Sequence, residues 1–184
     1  MEFKKIAGNE FSRLLPPDQL SLLPLDLKIA ANPEECAALA RRFGLLDLAR
    51  LSARLRIAEG AEPGHLLVKG SIEAQVTQAC VVTLAPVETR VDELFEAAFA
   101  DPAQVEAAAT LPEELPEEGN DLPEPLAPEG LDVGELAAQQ LAVAIDPYPR
   151  APDADAVLQA LTAAREEGTE RSPFDVLRDL RGKD

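Results

Sequence analysis

The stretch HLLVKGSIEAQVTQAC, residues 65–80, alternates apolar and polar side chains along most of its length. The apolar side chains fall on even positions: Leu66, Val68, Ile72, Ala74, Val76 and Cys80. A period of two is typical of a β-strand with one buried and one solvated face. Residues 65–80 therefore predict a long strand whose even-numbered side chains, including the Cys80 thiol, point into a core.

The segment before this strand predicts its pairing partner. Residues 48–58 alternate in the same way, and their apolar face runs from Leu51 to Ile57. Leu and Arg are also good helix formers, so a helix is the alternative for this segment. The Gly- and Pro-containing turn at residues 60–64 favours an antiparallel pair of strands with one solvated face.

The remaining elements follow from periodicity and capping signals. Asn32 and Asp132, each with a Glu three positions later, mark the starts of two helices. Further elements are predicted as strands over 24–31 and 86–100 and as helices over 33–43 and 132–145. Together these elements predict an α+β fold, in which an antiparallel sheet of four or more strands, able to curl toward a barrel, is covered by two or three helices.

The predicted domain organisation has three parts. Residues 1–23 are an irregular lead-in, and residues 24–150 form a single α+β domain. Within that domain, residues 101–128 hold six prolines and eight acids, which predicts a disordered acidic loop. The alternative there is an Ala-rich helical turn near PAQVEAAAT. Residues 151–184 are a polar tail that ends in a short helix over residues 173–181.

The net charge of −17 is concentrated in one block. Residues 91–149 contain 15 Asp or Glu and no Lys or Arg, whereas residues 1–90 are balanced. Such a block repels a nucleic-acid duplex and predicts no DNA partner, but it suits solubility or a basic protein partner. The residues predicted to bind that partner are Glu113, Glu114, Glu117, Glu118, Asp121, Phe174 and Leu177.

A second interpretation rests on the only concentration of basic side chains. Arg41, Arg42, Arg54 and Arg56 are the candidates for direct contact with RNA. The competing interpretation is a charged outer face of the sheet, because no aromatic side chain stands beside these arginines to stack a base.

Catalytic and metal-binding patterns are missing from the sequence. His65 is the single histidine, and a lone His without paired cysteines does not form a zinc site. Cys36 and Cys80 do not make a disulfide framework. We therefore predict no catalytic residue, no metal and no cofactor. The alternatives are an enzyme using His65 in a concave site around residues 60–65, and a reactive thiol at Cys80.

The chain also lacks an apolar run of the roughly 20 residues that a membrane-spanning helix needs, and its first residues lack the apolar region of a signal peptide. A cytoplasmic protein without a membrane partner is the expectation.

Three stretches in order carry a family resemblance: VTQACVVTLAPVETRVDELFEAAF at 76–99, GLDVGELAAQQLAVAIDPYPR at 130–150, and SPFDVLRDLRG at 172–182. They resemble the YceD family of large ribosomal RNA subunit accumulation proteins. Many members carry Cys-x-x-Cys where this chain has Cys80 and Thr83, so the chain resembles an alphaproteobacterial-like branch that lacks the pair.

The resemblance implies a non-enzymatic factor in large-subunit ribosomal RNA accumulation and ribosome biogenesis. The charge blocks, rather than the resemblance, motivate the hypothesis that residues 106–135 hold a basic ribosomal protein or an rRNA-processing factor, with indirect contact to rRNA itself. No zinc site is carried over from the family, because a tetrahedral thiolate site needs about four ligands.

Overall fold

The computed structural model describes residues 3, 6, 8–109 and 122–167. The strands are β1 (Leu14–Leu15), β2 (Leu25–Ala30), β3 (Asp47–Glu59), β4 (Leu66–Ala79), β5 (Pro86–Ala100), β6 (Glu124–Pro125) and β7 (Leu131–Asp132). The helices are α1 (Pro17–Leu20), α2 (Pro33–Phe43), α3 (Pro102–Ala109), α4 (Val133–Ala144) and α5 (Ala154–Glu167). None of the helices in these ranges combines the length and hydrophobicity needed to cross a bilayer.

The main sheet has the order β2-β3-β4-β5-β6, and β1 pairs with β7 in a separate two-stranded sheet. The predicted α+β class is confirmed, and each of the four long predicted strands is present within one or two residues of its expected bounds. The described sheet stays open, with β2 and β6 at its edges, and does not close into a barrel. β6 pairs with β5 in the parallel direction. Because β6 has only two residues, it is too short to show the alternation by which a strand is predicted.

The chain divides into two compact units, and each is described by itself. The larger unit comprises residues 1–78 and 88–147, and the smaller comprises residues 79–87 and 148–184. In the larger unit, side chains from the inner face of the sheet, α2 and α4 share one core that includes Leu39, Leu51, Ile72 and Leu141. The inward phase predicted for β3 and β4 is confirmed, because Ile57, Val68, Ile72, Ala74 and Val76 have no exposed area.

The capping box predicted at the start of α2 is confirmed, whereas the box predicted at the start of α4 is only half formed. Asn32 accepts from the Glu35 N–H and the Glu35 carboxylate accepts from the Asn32 N–H, so the box at α2 is complete. Asp132 caps α4 through the N–H groups of Gly134 and Glu135. The Glu135 carboxylate accepts hydrogen bonds from Arg42, at 2.7 and 2.9 Å, in place of the reciprocal box contact predicted for it.

The lead-in predicted as irregular contains β1 and α1, and Phe11 in it has no exposed area. Its polar groups are satisfied by Asp132, which accepts from Ser12 Oγ at 2.6 Å and from the Arg13 N–H at 2.7 Å. The Arg13 guanidinium in turn donates to both oxygens of the buried Glu35 carboxylate at 2.9 Å. Because these partners are distant in sequence, local patterns could not predict that the lead-in has an ordered structure.

The acidic loop predicted over residues 101–128 is described only at its two ends. The first end forms α3, the helical alternative noted for PAQVEAAAT, and the second forms β6. Residues 110–121 lie outside the described residues, as does the predicted helix over 173–181. The predicted domain boundaries remain predictions.

Candidate functional site

The outer face of the main sheet carries a group of basic side chains. Arg54 and Arg56 lie two positions apart on β3, between the inward-facing Ala53, Leu55 and Ile57, so both point away from the core. Their side chains are 66% and 60% exposed. The predicted outward direction of these two arginines is confirmed. It arises because successive side chains of β3 point to opposite faces of the sheet.

Strand register adds two lysines to this face. Lys28 of β2 is directly opposite Arg54, and Lys69 of β4 is directly opposite Arg56. Each row has a third member, because Ser71 faces Arg54 from β4 and Asp26 faces Arg56 from β2. We call Lys28, Arg54, Arg56 and Lys69 the basic face.

The two rows border an open recess of about 550 Å³. Leu94 of β5 also lines the recess, and its side chain is 83% exposed. The recess therefore presents four cations, the Asp26 carboxylate and the exposed Leu94 side chain to solvent, and Leu27 and Leu55 also line it.

Three of the four cations have acidic neighbours. Arg56 lies 3.2 Å from the Asp26 carboxylate, and Lys69 lies 2.9 Å from that of Glu96. Arg54 lies 3.5 Å from the Glu73 carboxylate. Exposed ion pairs of this kind contribute only about 0–1 kcal/mol each, so an anion arriving from solution can compete with them.

The other two predicted RNA-contact residues belong to a different part of the fold. Arg41 and Arg42 lie in the last turn of α2, whose buried side chains pack with the inner face of the sheet. Arg41 is exposed, whereas Arg42 is held by the carboxylates of Glu135 and Glu10. The hydrogen bond to Glu135 raises the pKa of the Arg42 guanidinium further above its ordinary value. The structure thus separates the four arginines into two pairs on opposite sides of the sheet.

The residues predicted to bind a protein partner cannot be placed. Glu113, Glu114, Glu117, Glu118, Asp121, Phe174 and Leu177 all lie outside the described residues.

His65 lines a recess of about 420 Å³ between the β3–β4 turn and α1. Its Nε2 atom is 3.6 Å from the Glu62 carboxylate, so a concave site with a second polar group does exist. The residues that line it include no Ser, Thr, Cys or Lys that could serve as a nucleophile. Across the described ranges, no three His, Cys, Asp or Glu side chains converge in a way that could hold a metal ion.

Cys80 lies in the smaller unit, in a tight turn that follows β4. Its N–H donates to the Ala85 oxygen at 2.8 Å, and Leu84 N–H donates to the Cys80 oxygen at 3.0 Å. Leu84 has a φ of 61°, an unusual value for a non-glycine residue, and its side chain is 76% exposed. The Cys80 side chain has no exposed area and packs with Ala151 and Ala154, so it points inward as predicted but into a small cluster of its own.

The Cys80 sulfur also accepts hydrogen bonds, which the sequence did not predict. Backbone N–H groups of Val82, Thr83 and Ala151 lie 3.3 to 3.4 Å from Sγ. These donors favour the negatively charged thiolate. The Ala151 N–H and the Thr83 hydroxyl contribute most, and together the donors lower the pKa of Cys80 from 9.0 to about 7. Burial has the opposite effect on Cys36 of α2 and raises its pKa.

We expect the two thiols to titrate separately. The Cys36→Ala variant retains Cys80, and its thiolate absorbance should develop with a midpoint near pH 7, the lowered pKa. The Cys80→Ala variant should titrate above the ordinary thiol value, because burial raises the pKa of Cys36. Ultraviolet absorbance across a pH series measures both, and a Cys80 midpoint at the ordinary thiol value would contradict the donor geometry.

The lowered pKa of Cys80 determines how its contribution to the stability of the folded state changes with pH. A folded-state pKa of about 7 against 9.0 for the free thiol means that the folded state binds the proton less tightly. The contribution of Cys80 to stability is therefore fully present above pH 9 and is lost as the pH falls through about 7. Cys80→Ala should remove this rise in stability between the two values.

A protein-family model described as "Large ribosomal RNA subunit accumulation protein YceD" matches residues 68–181, which is more than half of the chain. The chain belongs to the YceD family. No curated protein and no solved structure shows a significant match to it. The expectation from the three resembling stretches is confirmed at the level of the family.

The YceD match covers β4 from Val68 onward, β5, α4, α5 and the Cys80 turn, but not β2, α2 or β3. The basic face is thus divided, since Lys69 lies inside the matched range and Lys28, Arg54 and Arg56 lie before it. At position 83 this chain has Thr, whose N–H donates to the Cys80 sulfur at 3.4 Å.

Sequence reasoning missed two of the four residues of the basic face. The alternation in 24–31 and 65–80 already placed Lys28 and Lys69 on the solvated faces of their strands. Only the register of the paired strands shows that they stand opposite Arg54 and Arg56. The sequence therefore indicated the direction in which the two lysine side chains point, but not which residues lie beside them.

Proposed function

We propose that this protein is a non-enzymatic, cytoplasmic factor that supports accumulation of large-subunit ribosomal RNA by binding another molecule. The observation that carries the proposal is the family match over residues 68–181. A binding role is favoured over catalysis, because the recess around the single histidine is lined by no Ser, Thr, Cys or Lys.

The proposed partner is a basic ribosomal protein or an rRNA-processing factor, held by the acidic block. The support is electrostatic, since residues 91–149 contain 15 acids and no Lys or Arg. Complementary charge accelerates encounter and disfavours wrong partners. Contact with rRNA would then be indirect. The proposed contact residues are Glu113, Glu114, Glu117, Glu118, Asp121, Phe174 and Leu177.

The cellular part of the proposal is tested by deleting the gene and measuring the ratio of large- to small-subunit rRNA. We expect the ratio to fall after deletion and to recover when the wild-type chain is supplied. An unchanged ratio would contradict the proposed function.

The partner part is tested by affinity capture from lysate at low and moderate salt. A variant with Glu→Gln changes at 113, 114, 117 and 118 should lose captured ribosomal proteins or assembly factors. The control carries four Glu→Gln changes at the exposed positions Glu34, Glu59, Glu62 and Glu88, which lie outside the acidic block and alter the net charge equally. Equal capture by the two variants, or none by the wild type, counts against a partner held by the acidic block.

Direct binding of RNA by the Arg41–Arg56 region remains the second candidate. The observation in its favour is that Arg54 and Arg56 both face solvent on one side of the sheet. Arg41 and Arg42 are not part of that side.

A further inference from the structure

We propose that the recess bordered by the basic face binds the phosphate backbone of single-stranded RNA. That the anion is RNA rests on the second candidate function proposed above, direct binding of RNA, while the position of the site rests on strand register. The proposal replaces the region Arg41–Arg56 by a defined set on three strands: Lys28, Arg54, Arg56 and Lys69.

The first argument is that like charges stand directly opposite one another in both rows. Lys28 faces Arg54, and Arg56 faces Lys69. Cβ atoms of directly opposed residues are about 4.5–5.5 Å apart, and like charges at this distance destabilise a sheet. Opposite charges would stabilise these two pairs, as Asp26 does on the other side of Arg56. An anion bound between the rows turns this repulsion into attraction.

The second argument concerns Lys28. Its exposed ammonium forms no ion pair with any residue of the described ranges, whereas Arg54, Arg56 and Lys69 each have an acidic neighbour. Lys28 therefore leaves one full charge available at the edge strand β2. A phosphate that binds there gains an ion pair without displacing a carboxylate.

The third argument is charge complementarity within a chain of opposite overall sign. The four cations of the recess outnumber the three carboxylates beside them, those of Asp26, Glu73 and Glu96, although the whole chain has a net charge of −17. A local reversal of sign of this size concentrates anions at the recess. The surrounding negative charge weakens binding of a large polyanion such as a duplex, which would extend beyond the recess.

The fourth argument is one of size. The rows are separated by about 7 Å along the strands, and β2 to β4 span about 10 Å across them. A single phosphodiester chain fits between such rows, whereas a duplex does not enter so narrow a recess. Leu94 gives the recess an apolar wall for a sugar or base. Without an aromatic side chain among the lining residues, affinity should depend mainly on phosphates, and therefore on salt.

The experiment measures binding of a fluorescent single-stranded oligouridine by anisotropy, at several salt concentrations. The Lys28→Gln/Lys69→Gln variant should bind about tenfold more weakly and lower the log–log salt slope by about 1.4, for two phosphate contacts. The control, Arg90→Gln/Arg150→Gln, removes two exposed charges outside the recess and should bind like the wild type. Circular dichroism checks that both variants remain folded.

Each outcome decides the proposal. Equal loss in both variants, or no RNA binding by the wild type at low salt, overturns the site. An acidic peptide that displaces RNA completely and binds more tightly would show that the recess takes a protein ligand, and would overturn the choice of RNA. If the rRNA ratio falls after gene deletion but is restored by Lys28→Gln/Lys69→Gln, the proposed function stands and this site does not.

Discussion

Replacing Asp132 by alanine should lower the free energy of unfolding of the larger unit by about 3 kcal/mol. One Asp132 oxygen accepts from Arg13 N–H at 2.7 Å and from the first-turn N–H groups of Gly134 and Glu135. The other accepts from the Ser12 hydroxyl at 2.6 Å and the Asn9 amide at 3.1 Å. The variant loses the cap of α4, worth about 1 kcal/mol, and leaves buried donors without a partner, at about 1–3 kcal/mol each.

Denaturant unfolding followed by far-ultraviolet circular dichroism measures this loss, since the chain contains no Trp and one Tyr. Asp155→Ala is the control, because Asp155 also lies in the first turn of a helix but is 75% exposed. We expect the control to change stability by less than about 0.5 kcal/mol. If the two variants unfold at the same denaturant concentration, the network around Asp132 does not stabilise the fold as inferred.

The second large effect is expected for Gly130→Ala. Gly130 has a φ of 113°, and a Cβ atom there would overlap the Leu15 oxygen and lie 2.9 Å from Pro16 Cα. Both obstacles are backbone atoms, so no side-chain rotation can relieve the overlap. Displacing them breaks the pairing of β1 with β7, in which Leu15 stands opposite Leu131. We expect a loss of about 3 kcal/mol or more.

Gly44→Ala separates backbone strain from the clash. Gly44 also has a positive φ, 67°, at the end of α2, but a Cβ atom there meets nothing within 4 Å. Only strain should remain, at about 1 kcal/mol. The difference between the two variants, measured by the same unfolding experiment, is the contribution of the close approach at Gly130. Equal losses would mean that β1 and β7 separate without cost.

Both predictions concern contacts that tie the family-matched segment to residues before it. The match begins at Val68, yet α4 is capped beside Ser12 and Arg13, and β4 is paired along its length with β3. The matched segment therefore depends on residues 1–67 for its core and for three of the four cations of the basic face.

The proposed site shows what the alternation of apolar and polar residues can predict and what it cannot. Alternation predicted that Arg54 and Arg56 share an outward face, and their 66% and 60% exposure agrees. Alternation could not give the residues across from them, because register depends on how two strands meet in space. Arg41 and Arg42 are close to Arg54 and Arg56 in the sequence, but they lie in α2, which covers the inner face of the main sheet.

Much of the fold was determined by the sequence itself. Strand phase follows from a two-residue period, which fixes which side chains can be buried together. The bounds of α2 follow from Asn32, Glu35 and Gly44, whose side chains and conformational preferences act within a few residues. Such local determinants do not need the rest of the chain to be in place.

Only the tertiary structure decided the ordered structure of the lead-in, the pairing of Glu135 with Arg42 rather than with its own helix cap, and the N–H donor that Ala151 brings to the Cys80 sulfur. In each case the partners are far apart in the chain, and the choice depends on which groups are brought together. The like-charged rows of the basic face belong to the same class. A sequence fixes the direction in which each strand presents its side chains, but the pairing of strands determines which charges face one another.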